Sequence, residues 1–186
     1  MNKISFQELP VITGDKVRLR PISYDDTELI VKWRNSPEVK RNFIFRDEMT
    51  TQMHLDWMKN KVEKGDVIQY IIENLEDNKP VGSVYYRDVD SENQSAEYGI
   101  FIGENDARGK GLGSETAKLF TEFGLNYIGL HRISLRVIAG NDSAYRSYEN
   151  AGFVTEGIFR DMVKLEGVFC DIIFMAKLSQ DLKELK

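Results

Sequence analysis

A single α+β domain, with a mixed and mostly antiparallel central sheet flanked by helices, is the fold class this sequence predicts. Three observations carry it. Between residues 67 and 102, short apolar runs are separated by turn-forming clusters, the pattern of an antiparallel meander. A glycine-rich loop at 108–113 then opens a helical run over 114–127, and an alternating run at 133–137 follows it. That strand–helix–strand unit favours a right-handed crossover and parallel pairing. Finally, 186 residues with 41% hydrophobic and 30% charged content fit one soluble globular domain spanning 1–186. No repeat, linker or low-complexity segment divides it.

Residues 1–14 read as a lead-in that ends at Thr13-Gly14. Val17-Arg18-Leu19-Arg20 alternates as a strand and Pro21 ends it. Asp25 and Asp26 offer capping carboxylates to a helix carrying Leu29, Ile30 and Trp33. Asn35-Ser36-Pro37 closes that helix, and Pro37 is suited to the first position of another. Thr50 or Thr51 caps a further helix with Met53, Leu55, Trp57, Met58 and Val62. Strands are expected over 67–72, 81–89 and 96–102, with turns at 76–79 and 91–94. The helix after Gly113 spaces Leu112, Leu119, Phe120, Phe123 and Tyr127 for one buried face. A second helix over about 143–150 ends at Ala151-Gly152. A strand starts at Phe153, and 168–178 is the last.

Composition excludes several function classes. A net charge of −5 argues against broad nucleic-acid binding. No run is apolar for long enough to cross a bilayer, so no membrane partner is expected and the cytoplasm is the expected compartment. Cys170 is the single cysteine, and its apolar neighbours predict a buried, packing role. His54 and His131 lie far apart in sequence with no metal-binding spacing, so no metal is expected.

The chemistry starts at Arg108-Gly109-Lys110-Gly111-Leu112-Gly113. Alternate glycines permit backbone angles that a β-carbon forbids. They also leave amide N–H groups uncovered at a helix start, where the dipole favours a phosphate. The loop fits neither the Walker pattern nor Gly-x-Gly-x-x-Gly, and by itself it could be a plain turn. A second motif follows in fixed order: Asn141, Ser143, Tyr148-Glu149 and Gly152-Phe153.

With both motifs in place, the region 96–153 resembles the GCN5-related N-acetyltransferase (GNAT) superfamily. Within it, the helical segment at 22–62 and the tail at 159–171 are similar to the group that acetylates ribosomal-protein N-termini, polyamines and amino sugars. The resemblance implies acetyl-CoA as donor and a splayed pair of parallel strands, 100–103 and 133–137, that holds the pantetheine arm as an added strand would be held. It implies cofactor contacts at Phe101, Ile102, Gly103, Arg108, Gly109, Lys110, Gly111, Leu112, Gly113, Asn141 and Ser143. For Ser143 a helix cap and a cofactor contact coincide. Arg108 and Lys110 could also be plain surface charge. Tyr148 resembles the superfamily's tyrosine that protonates the departing thiolate, although a core aromatic is the other reading. A phenol suits the task, with a pKa near 10. Glu97 is the candidate base, if it faces the cleft rather than the solvent side of its strand. A backbone N–H near Ile102 is expected to meet the oxyanion.

On the acceptor side, Trp33-Arg34-Asn35 is similar to acetyltransferases acting on nucleotide-linked amino sugars. An aromatic face stacks on a sugar, and Arg and Asn bind hydroxyls or phosphate. The leading expectation is therefore acetylation of a small-molecule amine, a nucleotide-linked amino sugar first. A protein N-terminus or a polyamine is the alternative, the latter suited to acidic patches such as Asp25-Asp26. A non-catalytic CoA-binding sensor is the alternative of another class. Folds of this kind often dimerise, so a homodimer is compatible with the resemblance.

Overall fold

The computed structural model describes residues 9–182, so the first eight residues of the expected lead-in lie outside the described residues. Among the described residues, one sheet of eight strands runs in the order β1-β2-β3-β4-β5-β6-β8-β7. The strands are β1 (Ile12–Thr13), β2 (Val17–Pro21), β3 (Ile68–Asn74), β4 (Lys79–Asp90), β5 (Ser95–Ile102), β6 (Arg132–Ile138), β7 (Val154–Leu165) and β8 (Val168–Leu178). Every neighbouring pair is antiparallel except β5 and β6, which are parallel. The meander and the parallel unit are therefore as the apolar patterning predicts.

The helices are α1 (Thr27–Asn35), α2 (Pro37–Lys40), α3 (Thr51–Trp57), α4 (Leu112–Phe123) and α5 (Asp142–Asn150). They cover the two faces of the sheet and enclose two apolar clusters. On one face α4 and α5 pack through Phe120, Phe123 and Tyr148 against Tyr86, Tyr98 and Leu135. Phe120 stacks on Tyr86 with ring centroids 4.4 Å apart, and the Tyr86 hydroxyl donates to the Phe120 carbonyl at 2.5 Å. On the other face Ile30, Trp33, Met58 and Val62 pack against Ile71 and Phe101. The central strands are thus covered on both sides, while β7 at the edge is largely exposed.

Local chemistry explains most boundaries. Ser36 accepts from the Val39 amide ahead of Pro37, and Thr50 accepts from the Met53 amide, so both predicted starts are present. Asp26 does not cap α1. It is buried, forks onto Arg20 at 2.8 and 2.6 Å, and accepts from the Ser23 amide at 2.8 Å. Tyr127 is 59% exposed instead of lying on the buried face of α4. The helix widens into a π-type turn at Gly124–Ile128, which rotates that side chain outward. Cys170 is half-buried on the β7–β8 hairpin, its thiol 3.7 Å from the Val168 carbonyl, so the expected burial is only partial.

Candidate active site

The parallel pairing of β5 and β6 is short. It joins Ser95 with Arg132, Ala96 with Ile133 and Glu97 with Ser134, and then it stops. Beyond Glu97 the two strands separate, and a cleft of about 500 Å³ opens between them. Gly103 gives its amide to Val81 on β4, so by strand alternation the odd-numbered residues of β5 bond to β4, and the backbone N–H and C=O groups of Tyr98 and Ile100 and the N–H of Ile102 turn toward this gap. Backbone groups left open in this way can accept an added strand.

The glycine loop closes one end of the cleft. Gly109 and Gly111 take φ of +74° and +83°, values that favour glycine. A β-carbon on Gly109 would meet nothing within 4 Å, so the loop surface there is open. Gly111 is the residue before α4, and Leu112, 3% exposed, anchors the first turn in the core. The amides of the first turn have no partner inside the helix. Arg108 lines the cleft and donates from Nε and Nη2 to the Ile102 carbonyl, at 3.2 and 2.8 Å, which fixes the guanidinium beside the loop. Room for a diphosphate and donors to meet it are both present.

Other expected contact residues divide. Phe101, Ile102 and Gly113 line the cleft. Gly103 does not: its amide donates to the Val81 carbonyl at 2.7 Å, and a β-carbon there would run into the Trp33 ring at 2.2 Å. Lys110 points into a separate hollow with Asp15 and Lys16. Asn141 and Ser143 both line the cleft, but the cap of α5 is Asn141, whose Oδ1 accepts from the Ala144 amide at 3.3 Å. Asn141 also reaches across to Asn42, Nδ2 to Oδ1, at 3.5 Å.

Tyr148 enters the cleft from α5 and is 8% exposed. Its ring meets Tyr98 and Phe153 edge-on at 5.9 and 6.1 Å. Its hydroxyl has no hydrogen-bond partner among the described residues. Burial pushes the phenol well above its ordinary value of 10, so it keeps its proton at neutral pH.

Glu97 also lines the cleft, on the face toward α1–α3. Its Oε1 accepts from Arg87 Nη2 at 2.6 Å and Arg136 Nε at 3.1 Å, and its Oε2 accepts from Arg136 Nη2 at 3.1 Å. Both carboxylate oxygens are therefore committed to guanidinium groups.

Trp33 and Asn35 belong to the scaffold rather than to the cleft wall. Trp33 is 1% exposed, stands edge-on to Phe101 and donates its ring N–H to Glu104 at 2.7 Å. Asn35 clamps the Met49 backbone through two bonds of 2.8 Å. Arg34 is mostly buried, with its guanidinium carbon 3.5 Å over the Phe43 ring, and burial lowers its pKa. Arg34 Nη1 has no partner among the described residues.

The acceptor-side wall is made by the loop at 42–45, whose Asn42-Phe43 carries the mix of polar and aromatic groups that suits a sugar, and by three residues that sequence reading passed over: Tyr85, Arg87 and Arg136. Arg46 folds that loop by donating to the Phe43 carbonyl at 3.1 Å, and it ion-pairs with Glu166 at the hairpin tip at 2.6 Å. Tyr98, on the opposite wall, is 3% exposed with its hydroxyl buried and unpartnered. Counting back from the turn at 91–94 would set Asp88 opposite Glu97. A bulge, with Asp88 at φ +52°, shifts the register by one and brings Arg87 there.

Comparison with known proteins agrees with this geometry. A family described as an acetyltransferase (GNAT) domain matches residues 16–154. A probable N-acetyltransferase, YjcK, from Bacillus subtilis is 31% identical over 179 residues, 92% of this chain and 98% of its own length. The spermidine N(1)-acetyltransferase of Escherichia coli K12 is 25% identical over 164 residues, 88% of this chain and 86% of that protein. In fold, the chain is similar to the Vibrio cholerae spermidine N-acetyltransferase solved with CoA and spermine. That likeness has a TM-score of 0.84 at 20% identity and covers 90% of this chain and 98% of the other.

Proposed function

This chain belongs to the GNAT acetyltransferase family, and from that premise we propose that its cleft transfers an acetyl group from acetyl-CoA directly to a primary amine of a small molecule. The enzyme class is that of an acetyl-CoA-dependent N-acetyltransferase. The observation that carries the site assignment is the parting of β5 and β6, with the glycine loop and Tyr148 lining the cleft that opens there.

Acetyl-CoA supplies a thioester whose carbonyl is open to an amine nucleophile. The residues here would divide the work. The amides of Gly109 to Gly113 and the Arg108 guanidinium would hold the diphosphate. The open backbone groups of Tyr98 and Ile100 would align the arm, the Ile102 carbonyl being held by Arg108, and an amide of that edge would meet the oxyanion. Tyr148, kept protonated by burial, would donate to the leaving thiolate. The incoming ammonium must lose a proton before it attacks. Glu97 could take it only by giving up one of its ion pairs, so we assign proton removal to solvent and leave Glu97 to hold Arg87 and Arg136.

Relatives that act on spermidine support a polyamine acceptor. The amino-sugar reading no longer rests on Trp33 and Asn35, which are built into the scaffold. It rests on a cleft wall that carries more arginine than carboxylate. The test of the function is thiol release on mixing the protein with acetyl-CoA and a panel of amines, followed by mass spectrometry of the products. Amine-dependent thiol release with an acetylated amine is expected. Tight CoA binding without turnover on any amine would favour a sensor domain.

A further inference from the structure

We propose that Arg87 and Arg136, held apart by Glu97, form an oxyanion subsite for the acceptor, so that the amine acetylated here belongs to a molecule carrying a phosphate or carboxylate group. This rests on the acetyl-transfer reading above and names the acceptor class it leaves open. Two guanidinium groups share the one carboxylate that lines the cleft; among the described residues the only other acid paired with them, Asp88, is 79% exposed and screened by solvent, so the cleft side of the cluster carries more positive than negative charge. All three side chains are about one quarter exposed or less, at 25%, 23% and 21% for Arg87, Arg136 and Glu97. The ion pairs use Arg87 Nη2 and Arg136 Nε and Nη2. Nη1 of each arginine has no acceptor among the described residues. Arg87 Nε stands 3.8 Å from Asp88, too far for a hydrogen bond. Half-buried guanidinium donors without an acceptor are matched by an oxyanion, which two such groups can grip at once.

Placement makes the subsite part of the acceptor path. Glu97 is the last β5 residue paired with β6, so the cluster sits where the strands begin to part. It faces α1–α3 and the 42–45 loop, away from the α4–α5 face that carries Tyr148. From Glu97 to Ile100 is three strand residues, or about 10 Å. Ile100 lies in the middle of the open edge, so an anion at the cluster and an amine opposite that edge would be separated by about the length of a phosphorylated sugar. Among the described residues lining the cleft, Glu97 is the only acid, and two arginines already hold it. A polycation entering here would meet a wall of its own sign.

The test compares kcat/KM for glucosamine, glucosamine 6-phosphate, muramic acid and spermidine, in the wild type and in Arg136→Met. That variant leaves Arg87 and Glu97 as a neutral pair, so no charge is orphaned. Expected is at least a tenfold preference for glucosamine 6-phosphate or muramic acid over glucosamine, expressed in KM, and a ratio that collapses toward one in Arg136→Met. Glu97→Gln, which adds to the positive excess, should widen the ratio. The phosphate and carboxylate arms tell the two oxyanions apart. Equal kcat/KM for charged and uncharged sugars, a preference for spermidine, or a ratio indifferent to Arg136 would overturn the proposal and leave the cluster a staple of three strands. A parallel titration of inorganic pyrophosphate into CoA-saturated protein covers the case in which no amine is acetylated. Binding that Arg136→Met abolishes supports the subsite and puts the failure on the acetyl-transfer reading. Absence of binding to the wild type sinks the subsite itself.

Discussion

Replacing Tyr148 with Phe removes one oxygen from the cleft and leaves the ring. The ring keeps its edge-on contacts with Tyr98 and Phe153 at 5.9 and 6.1 Å. The lost hydroxyl bonds to nothing among the described residues, so the change in stability should stay within about 0.5 kcal/mol. Affinity for CoA should stay within about twofold for the same reason. The rate should not. A positioned general acid contributes about 10²- to 10⁴-fold, so kcat should fall at least about a hundredfold, or about 2.7 kcal/mol of barrier. The assay is thiol release at saturating acetyl-CoA and amine, with the melting temperature and CoA affinity measured on the same samples. Burial holds the phenol above its ordinary value of 10, so any alkaline fall in the wild-type rate due to its ionisation lies above that pH. A kcat within twofold of wild type would refute the assignment. A large fall in stability or CoA affinity would mean that the hydroxyl serves the scaffold.

Gly109→Ala puts a methyl at φ +74° into open space over the loop. The backbone cost is about 1 kcal/mol, yet CoA affinity by calorimetry should fall at least tenfold; a change no larger than the stability loss would argue against the cradle. Asp26→Asn should cost about 3 kcal/mol in urea unfolding, the low end for a broken buried pair, because Glu73 still pairs with Arg20 at 2.8 Å. Burial alone would raise the Asp26 carboxyl, but Arg20 and the Ser23 backbone hold it below its ordinary 3.8. Its stabilisation is therefore present above pH 3.8 and lost as the pH falls through the folded value, and the variant should lack that part of the acid limb. His54 is 1% exposed and burial lowers its pKa from 6.5. The unfolded chain takes up the proton first, so stability should decline as pH drops below 6.5, a slope that His54→Leu removes from melting curves. An identical slope in the variant would place the titration elsewhere.

The fold was legible because its signals are local. Alternation marks β2, the turns at 76–79 and 91–94 set the meander, and the glycine loop marks the entry to α4, which begins at Leu112, two residues before the expected start at 114. The donor half of the site was legible for the same reason, since the loop and the Asn141–Tyr148 stretch are contiguous in the chain. The acceptor wall was not. It assembles Arg87, Glu97 and Arg136 from three strands, and one bulge decides which side chain meets Glu97. Composition also misleads at Trp33-Arg34-Asn35. Three adjacent helical residues point in different directions. One fills the core, one stacks on Phe43, and one clamps Met49. A run of suitable residue types on a helix is not a surface.

The most direct measurement of the central claim uses acetyl-CoA labelled in its acetyl group, offered to the protein with a mixed pool of amines, nucleotide sugars and peptides, and followed by mass spectrometry. The account predicts label in an amide on a small-molecule amine, in step with thiol release, with none bound to the protein and with the yield sharply reduced in Tyr148→Phe. Label retained on the protein, or thiol release that does not depend on an added amine, would contradict direct transfer through this cleft.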